Sequence, residues 1–168
     1  NATFDGNSAG YVRALSEDAA PAGGALRLDG SRRRVAVVLE RSRLVRNIAA
    51  SRGGAVSAIG ADLTATDCVF GANDGRYGGA AFVSGTSDVR IEGGAVEANG
   101  CGAANTTSVE AVQGGGVFVQ GGSDTAVTVT AAAVVRANCA TQFGGGACAR
   151  DGAALRIDGG ARVWQNTA

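Results

Sequence analysis

An apolar residue followed three positions later by Asn recurs six times along this chain, as Phe4/Asn7, Leu44/Asn47, Phe70/Asn73, Val96/Asn99, Val135/Asn138 and Val163/Asn166. Between successive copies a Gly-Gly-apolar element always intervenes: Gly23-Gly24-Ala25, Gly53-Gly54-Ala55, Gly78-Gly79-Ala80, Gly115-Gly116-Val117 and Gly145-Gly146-Ala147. Two motifs that keep one order through five cycles mean a chain of repeating coils, which few folds other than solenoids accommodate. The steps from Asn to Asn are 40, 26, 26, 39 and 28 residues, and the residues between each Asn and the next Gly pair number 15, 5, 4, 15 and 6. The extra length of the two long steps therefore lies in two insertion loops, 8–22 and 100–114, and the rest of each coil is nearly constant.

Within the constant part the pattern alternates and favours β-branched residues, as in Leu26-Arg27-Leu28-Asp29, Val89-Arg90-Ile91-Glu92, Val127-Thr128-Val129-Thr130 and Leu155-Arg156-Ile157-Asp158. Such runs predict half-buried strands. Helices are excluded by the 28 glycines, which recur as doublets and triplets and would each cost about 1 kcal/mol inside a helix. With only 5% aromatic residues, the interior must be narrow and filled by small side chains. A coil of about 26 residues has room for three short strands and three turns, too little to bury its apolar side alone. The coils must stack at about 4.8 Å, and the all-β result is a parallel β-helix of about five coils in a single domain over 1–168. Stacking places Asn7, Asn47, Asn73, Asn99, Asn138 and Asn166 above one another as a buried ladder, each amide bonding turn backbone and the next Asn. Each Gly pair is expected to allow a tight return with φ > 0.

Phe4-Asp5-Gly6-Asn7 and Phe70-Gly71-Ala72-Asn73 fit an F-x-x-N motif, and Gly53-Gly54-Ala55-Val56 and Gly23-Gly24-Ala25-Leu26 fit G-G-A-[ILV]. Together they resemble the paired repeats of the chlamydial polymorphic outer membrane proteins, from Phe4 to Asn166. In the last three coils Val replaces Phe, a departure from that pattern. The resemblance implies a right-handed, pectin-lyase-like parallel β-helix at a cell surface, with a part in adhesion.

The chemistry-bearing residues argue for a scaffold over an enzyme. The chain has no His, and its 15 acidic residues balance 15 basic ones, all of them Arg. No attraction to nucleic acid follows from the net charge, and no apolar run reaches the roughly 20 residues of a membrane span. No catalytic residues, metal ligands or cofactors are expected. Residues three and five positions beyond the second Gly of each pair, counted from Gly115 in the fourth coil, form outward ladders, Arg27, Ser57, Phe82, Phe118, Ala149 and Asp29, Ile59, Ser84, Gln120, Asp151. On these, Asp29 and Asp151 stand four coils apart, on the order of 19 Å, beyond the 5–9.5 Å of paired glycosidase carboxylates. Thr64/Thr66 and Thr128/Thr130 are interrupted by Arg90 and Glu92, which breaks any flat Thr array. Arg27, Arg32, Arg33, Arg34, Arg41, Arg43 and Arg46 are read as a solvated face paired with local acids, Glu97 and Arg136 as an ion pair between coils. Phe82 and Phe118, stacked on the outer surface, and Trp164, on an outward rung, are the candidate contacts for a glycan or a partner chain.

Four cysteines allow three fully paired connectivities. Cys101 and Cys139, which follow equivalent Asn residues of neighbouring coils, are the expected bridge, with Cys68 and Cys148 free inside the core. Asn105-Thr106-Thr107 and Asn1-Ala2-Thr3 are glycosylation sequons, and with the bridge they favour an extracellular or cell-surface location. The chain starts inside one motif and stops inside another, so it is expected to be a segment of a longer solenoid, its ends covered by flanking coils or other protein subunits. The function expected is a structural or adhesive surface scaffold, with a glycan-binding module as the alternative and a polysaccharide lyase or hydrolase behind it.

Overall fold

A computed structural model of the chain describes residues 1–9, 22–102 and 113–168. Among these, all regular structure is β-strand, and every strand pairs in parallel with its equivalent one coil away. The result is a right-handed parallel β-helix of about five turns. Three long sheets run its length. One, which precedes the Asn rungs, stacks Thr3–Asp5, Arg43–Val45, Val69–Gly71, Ala95–Glu97, Val134–Arg136 and Arg162–Trp164. A second, which follows the Gly pairs, stacks Leu26–Asp29, Val56–Ile59, Ala81–Ser84, Val117–Gln120 and Ala147–Arg150. The third stacks Val35–Glu40, Ala61–Thr66, Asp88–Glu92, Ala126–Thr130 and Ala154–Ile157. We call these the groove face, the aromatic face and the charged face after what stands on their outer sides.

A fourth, shorter sheet joins Ser8–Ala9, Ile48–Arg52 and Asp74–Tyr77, an addition to the three strands per coil expected from length. Ser8, Ala9 and Ala22 thus belong to the coil, Ala22 by a bridge to Arg52, and so do Gln113, bridged to Tyr77 and Phe143, and Gly114. The interiors of both insertions, 10–21 and 103–112, lie outside the described residues.

The core follows from the alternation. On the groove face the inward column is Phe4, Leu44, Phe70, Val96, Val135 and Val163, the apolar member of each repeat in strict register. Leu63, Val89 and Val127 from the charged face and Val56, Ala81 and Val117 from the aromatic face meet it in one cluster, nearly all fully buried. The strands of the charged face bury every second residue, whereas those of the aromatic face also bury outward residues; in either case a coil sends only a few small side chains inward. The stack sums these into a continuous column, where each CH2 removed from water is worth about 0.8 kcal/mol.

The Gly pairs divide two jobs. The first member, Gly23, Gly53, Gly78, Gly114 and Gly144, has φ between 60 and 71°, the left-handed turn anticipated. The second member is there for a different reason: a Cβ on Gly24, Gly54 or Gly79 would run into the carbonyl of Gly54, Gly79 or Gly115 one coil on, so backbone packs on backbone. This pairing also corrects the register of the last two coils. The equivalent pairs there are Gly114-Gly115 and Gly144-Gly145, one residue earlier than the motif Gly-Gly-apolar indicates, because those coils carry a glycine triplet. Phe118 therefore faces Cys148, and Gln120 faces Arg150, in place of Ala149 and Asp151.

Candidate functional site

The Asn ladder is the frame that positions every outer side chain. Asn47, Asn73, Asn99 and Asn138 are 0% exposed. Each Nδ2 donates to the Oδ1 of the next rung, from Asn7 to Asn166, at 2.9–3.0 Å. The same Oδ1 accepts the main-chain N–H of the preceding rung. The second Nδ2 proton goes to the carbonyl of Phe4, Leu44, Phe70, Val96 or Val135 one coil back. Every donor and acceptor of the four interior amides is thus used. Asn7 is exposed and Asn166 half-buried, since each has a neighbouring rung on one side only.

The residue before each rung is left-handed: Gly6, Arg46, Ala72, Ala98, Ala137 and Gln165 have φ of 52 to 64°. Five of these six carry a Cβ, at a conformational cost of about 1–2 kcal/mol each, which the amide network offsets. Composition hid this turn, and Gly6 in the first motif was the one signal for it.

On the aromatic face the outward column is Arg27, Ser57, Phe82, Phe118 and Cys148. Phe82 and Phe118 stack at 5.7 Å with their planes 14° apart. Both point away from the core cluster, yet each is only 1% exposed, so neither presents a ring face to solvent as a surface contact requires. Tyr77 packs on Phe118 at 5.5 Å, and the Arg52 guanidinium lies 5.2 Å above the Phe82 ring. Cys148 borders this column half-exposed, not inside the core, and is free. Cys68 is free and fully buried, and burial pushes both thiols up from their ordinary pKa. Cys101 and Cys139 are joined by a disulfide. Asn105 lies outside the described residues, and Asn1 is exposed.

The charged face carries two carboxylates that the outward ladders of the sequence reading did not include. Asp62 is the second residue of Ala61–Thr66 and Asp88 the first of the neighbouring strand Asp88–Glu92, and the Asp88 N–H donates to Asp62 at 3.2 Å. Arg34 grips Asp62 through Nε and a terminal nitrogen, both at 2.7 Å, and Arg90 holds Asp88. The Arg34 hydrogen bonds keep the Asp62 carboxyl below its usual range, against the opposing effect of burial. A glycosidase pair needs one member held protonated at neutral pH, and Arg34 drives Asp62 the other way. The ladder Thr64, Arg90, Thr128 runs in register, so the Thr array is broken in space as well.

The seven arginines of the first coils do not form one face. Arg27 pairs with Asp29 at 3.5 Å, Arg34 with Asp62, and Arg46 with Asp5. Ser31, donating from hydroxyl and N–H, is the first cause that lowers the Asp29 pKa. Arg32, Arg33, Arg41 and Arg43 have no ion pair among the described residues. The outward column of the groove face is Asp5, Val45, Gly71, Glu97, Arg136 and Trp164. Gly71 sits between larger neighbours, and with Val45, Val69, Ala72, Ala98 and Ala137 it floors an open groove of about 490 Å³. Arg43 and Arg46 stand at one end of it, Glu97, Arg136 and Gln165 at the other. Arg136 donates from Nε and a terminal nitrogen to Glu97 Oε2 at 2.9 and 2.8 Å. Trp164, next to Arg136, is half-buried.

No protein-family model, curated protein or solved structure matches this chain.

Proposed function

We propose that the chain is an extracellular or cell-surface scaffold, a stiff rod that holds its outer faces in fixed register for contact with other macromolecules. The observation that carries this reading is the unbroken Asn ladder, which spends every amide group of its interior rungs on tying coil to coil. Such a device suits mechanical and presenting roles. The disulfide between Cys101 and Cys139 supports an oxidising compartment, and the F-x-x-N and G-G-A repeats, similar to those of polymorphic outer membrane proteins, support a surface location with adhesion as its purpose. A non-enzymatic role accords with the ion-paired state of Asp62 on the charged face.

The test is made in the cells that produce the protein. Antibody against the chain should label intact cells, and rapid alkylation before lysis should recover Cys101 and Cys139 in one disulfide-linked peptide pair. Labelling only after permeabilisation, with both thiols reduced, would overturn the proposal.

A further inference from the structure

Beyond a scaffold role, we propose that the groove face is the interface of a symmetric dimer, in which Trp164 of each copy fills the notch over the partner's Gly71. The notch is the first argument. Gly71 leaves a gap in the outward column Asp5, Val45, Gly71, Glu97, Arg136, Trp164, and the groove above it encloses about 490 Å³ over valine and alanine side chains. Trp164, the single Trp of the chain, stands on the same face. It lies three coils from its own Gly71, about 14 Å at the usual strand spacing and beyond the reach of its indole. Only the Trp164 of another chain can fill the notch.

The order of the column is the second argument, and it is what singles out a second copy as the occupant. A twofold axis along the strand direction, passing between the Glu97 and Arg136 rungs, brings two copies face to face with their helix axes antiparallel. Trp164 then meets the partner's Gly71 and Arg136 meets the partner's Glu97, each contact occurring twice, as an isologous interface requires. In the neighbouring outward column Arg43, Val69, Ala95, Val134, Arg162, the same operation sets Val134 on the partner's Ala95 and the aliphatic stem of Arg162 on the partner's Val69. A shift of one rung either way opposes Glu97 to the partner's Glu97, or Arg136 to the partner's Arg136, and like charges face to face disfavour association. One register about this axis therefore matches both knob with notch and acid with base.

Both Arg136 hydrogen bonds end on Glu97 Oε2, which leaves Glu97 Oε1 and the other terminal nitrogen of Arg136 to meet across the axis and close a ring of four alternating charges. Ala72, Ala98 and Ala137, which flank the column at the left-handed turns, are exposed and small enough to let two sheets approach to about 10 Å. Four rungs of short strands cover less than a standard interface of about 1,600 Å², so the dimer is weak, with a Kd on the order of 10–100 µM. Gly71→Val closes the notch without strain. A Cβ there meets nothing nearer than the methyls of Val45 and Val69, at 3.4 and 3.7 Å, and the φ of Gly71 is not left-handed.

Sedimentation equilibrium on the whole chain, from about 1 µM to about 1 mM, should show monomer giving way to dimer and nothing larger. Gly71→Val and Trp164→Ala should each weaken dimerisation about tenfold or more, the first with an undiminished melting temperature at a concentration where the parent is monomeric. Arg33→Glu, on an exposed turn away from this face, should change the Kd by no more than about twofold. Glu97→Arg and Arg136→Glu chains should each stay monomeric, since like charges then meet across the axis. Mixed in equal amounts, these two should form a heterodimer, because each supplies the sign that the other lacks. Four results would each overturn the proposal: a parent monomeric throughout, a Gly71→Val chain that dimerises like the parent, growth past dimer that Gly71→Val leaves untouched and that places the contact at the helix ends, or a mixture of the charge-reversed chains that remains monomeric. The scaffold reading survives any of them, since it rests on the ladder and not on the groove face.

Discussion

At the scale of single residues, the amide of a rung does more than its apolar neighbour in register. Asn73 gives one proton to Asn99 and one to the Leu44 carbonyl, and its Oδ1 accepts two from Asn47. Asn73→Ala leaves these partners buried and unpaired, and should cost roughly 1–3 kcal/mol in urea unfolding. Asn7→Ala, at a rung open to water, should cost clearly less; equal losses would count against the ladder as the source of the stability. The left-handed turn before each rung makes the opposite forecast. Ala98 sits at φ 54°, a conformation glycine adopts freely, so Ala98→Gly should raise stability by about 0.5–1 kcal/mol. A loss of stability in the same assay would show that the methyl contributes packing that the turn geometry does not reveal.

Between residue and molecule stands the coil, and what limits a coil is its attachment to the next. Its strands are two to six residues long, too short to persist alone. Where the second insertion leaves the stack, between Gly102 and Gln113, the disulfide from Cys101 to Cys139 ties its base to the neighbouring coil across a separation of 38 residues. In the chain-entropy account a closed loop of this size is worth about 4 kcal/mol. The double variant Cys101→Ser/Cys139→Ser should therefore unfold at lower urea, by about 2–4 kcal/mol. A midpoint identical to that of the oxidised parent would mean that the insertion is held by other contacts. The paired glycines act at this scale too, since the second of each pair lets two coil backbones approach where any side chain would hold them apart.

Over the whole molecule, ion pairs run along the axis and join residues that are distant in sequence but adjacent in the stack. Arg46 with Asp5, Arg34 with Asp62 and Arg136 with Glu97 all cross from one coil to the next. Asp62 has its folded pKa lowered, chiefly by the Arg34 hydrogen bonds. Its contribution is therefore present above the unfolded carboxylate value of about 3.9 and disappears as pH falls through the lower folded value. Asp62→Asn should lower stability at pH 7 by a few tenths to about 1 kcal/mol, and should flatten the fall in stability below about pH 4. Urea midpoints at pH 7 and pH 3 for parent and variant check this, and parallel curves would remove Asp62 from the account of acid stability.

The order of two motifs through five cycles was enough to determine a parallel solenoid, because only stacking lets so small an apolar stripe per coil find cover. It also determined which Asn residues stack, that the added length lies in two insertions, and that Glu97 and Arg136 occupy equivalent rungs. Local pattern reports which way a side chain points relative to its own strand, and nothing about what stands over it. That is why Phe82 and Phe118 read as surface residues, although the tertiary structure buries both against Tyr77, Arg52 and each other. The same limit hid the groove. Its floor depends on Gly71 lying beside Val45 in one coil and Glu97 in the next, a neighbourhood set by register between residues 26 positions apart. On the aromatic face the glycine triplets left the register of the last coils ambiguous by one residue, and only the inter-coil hydrogen bonds decided it, placing Cys148 beside Phe118.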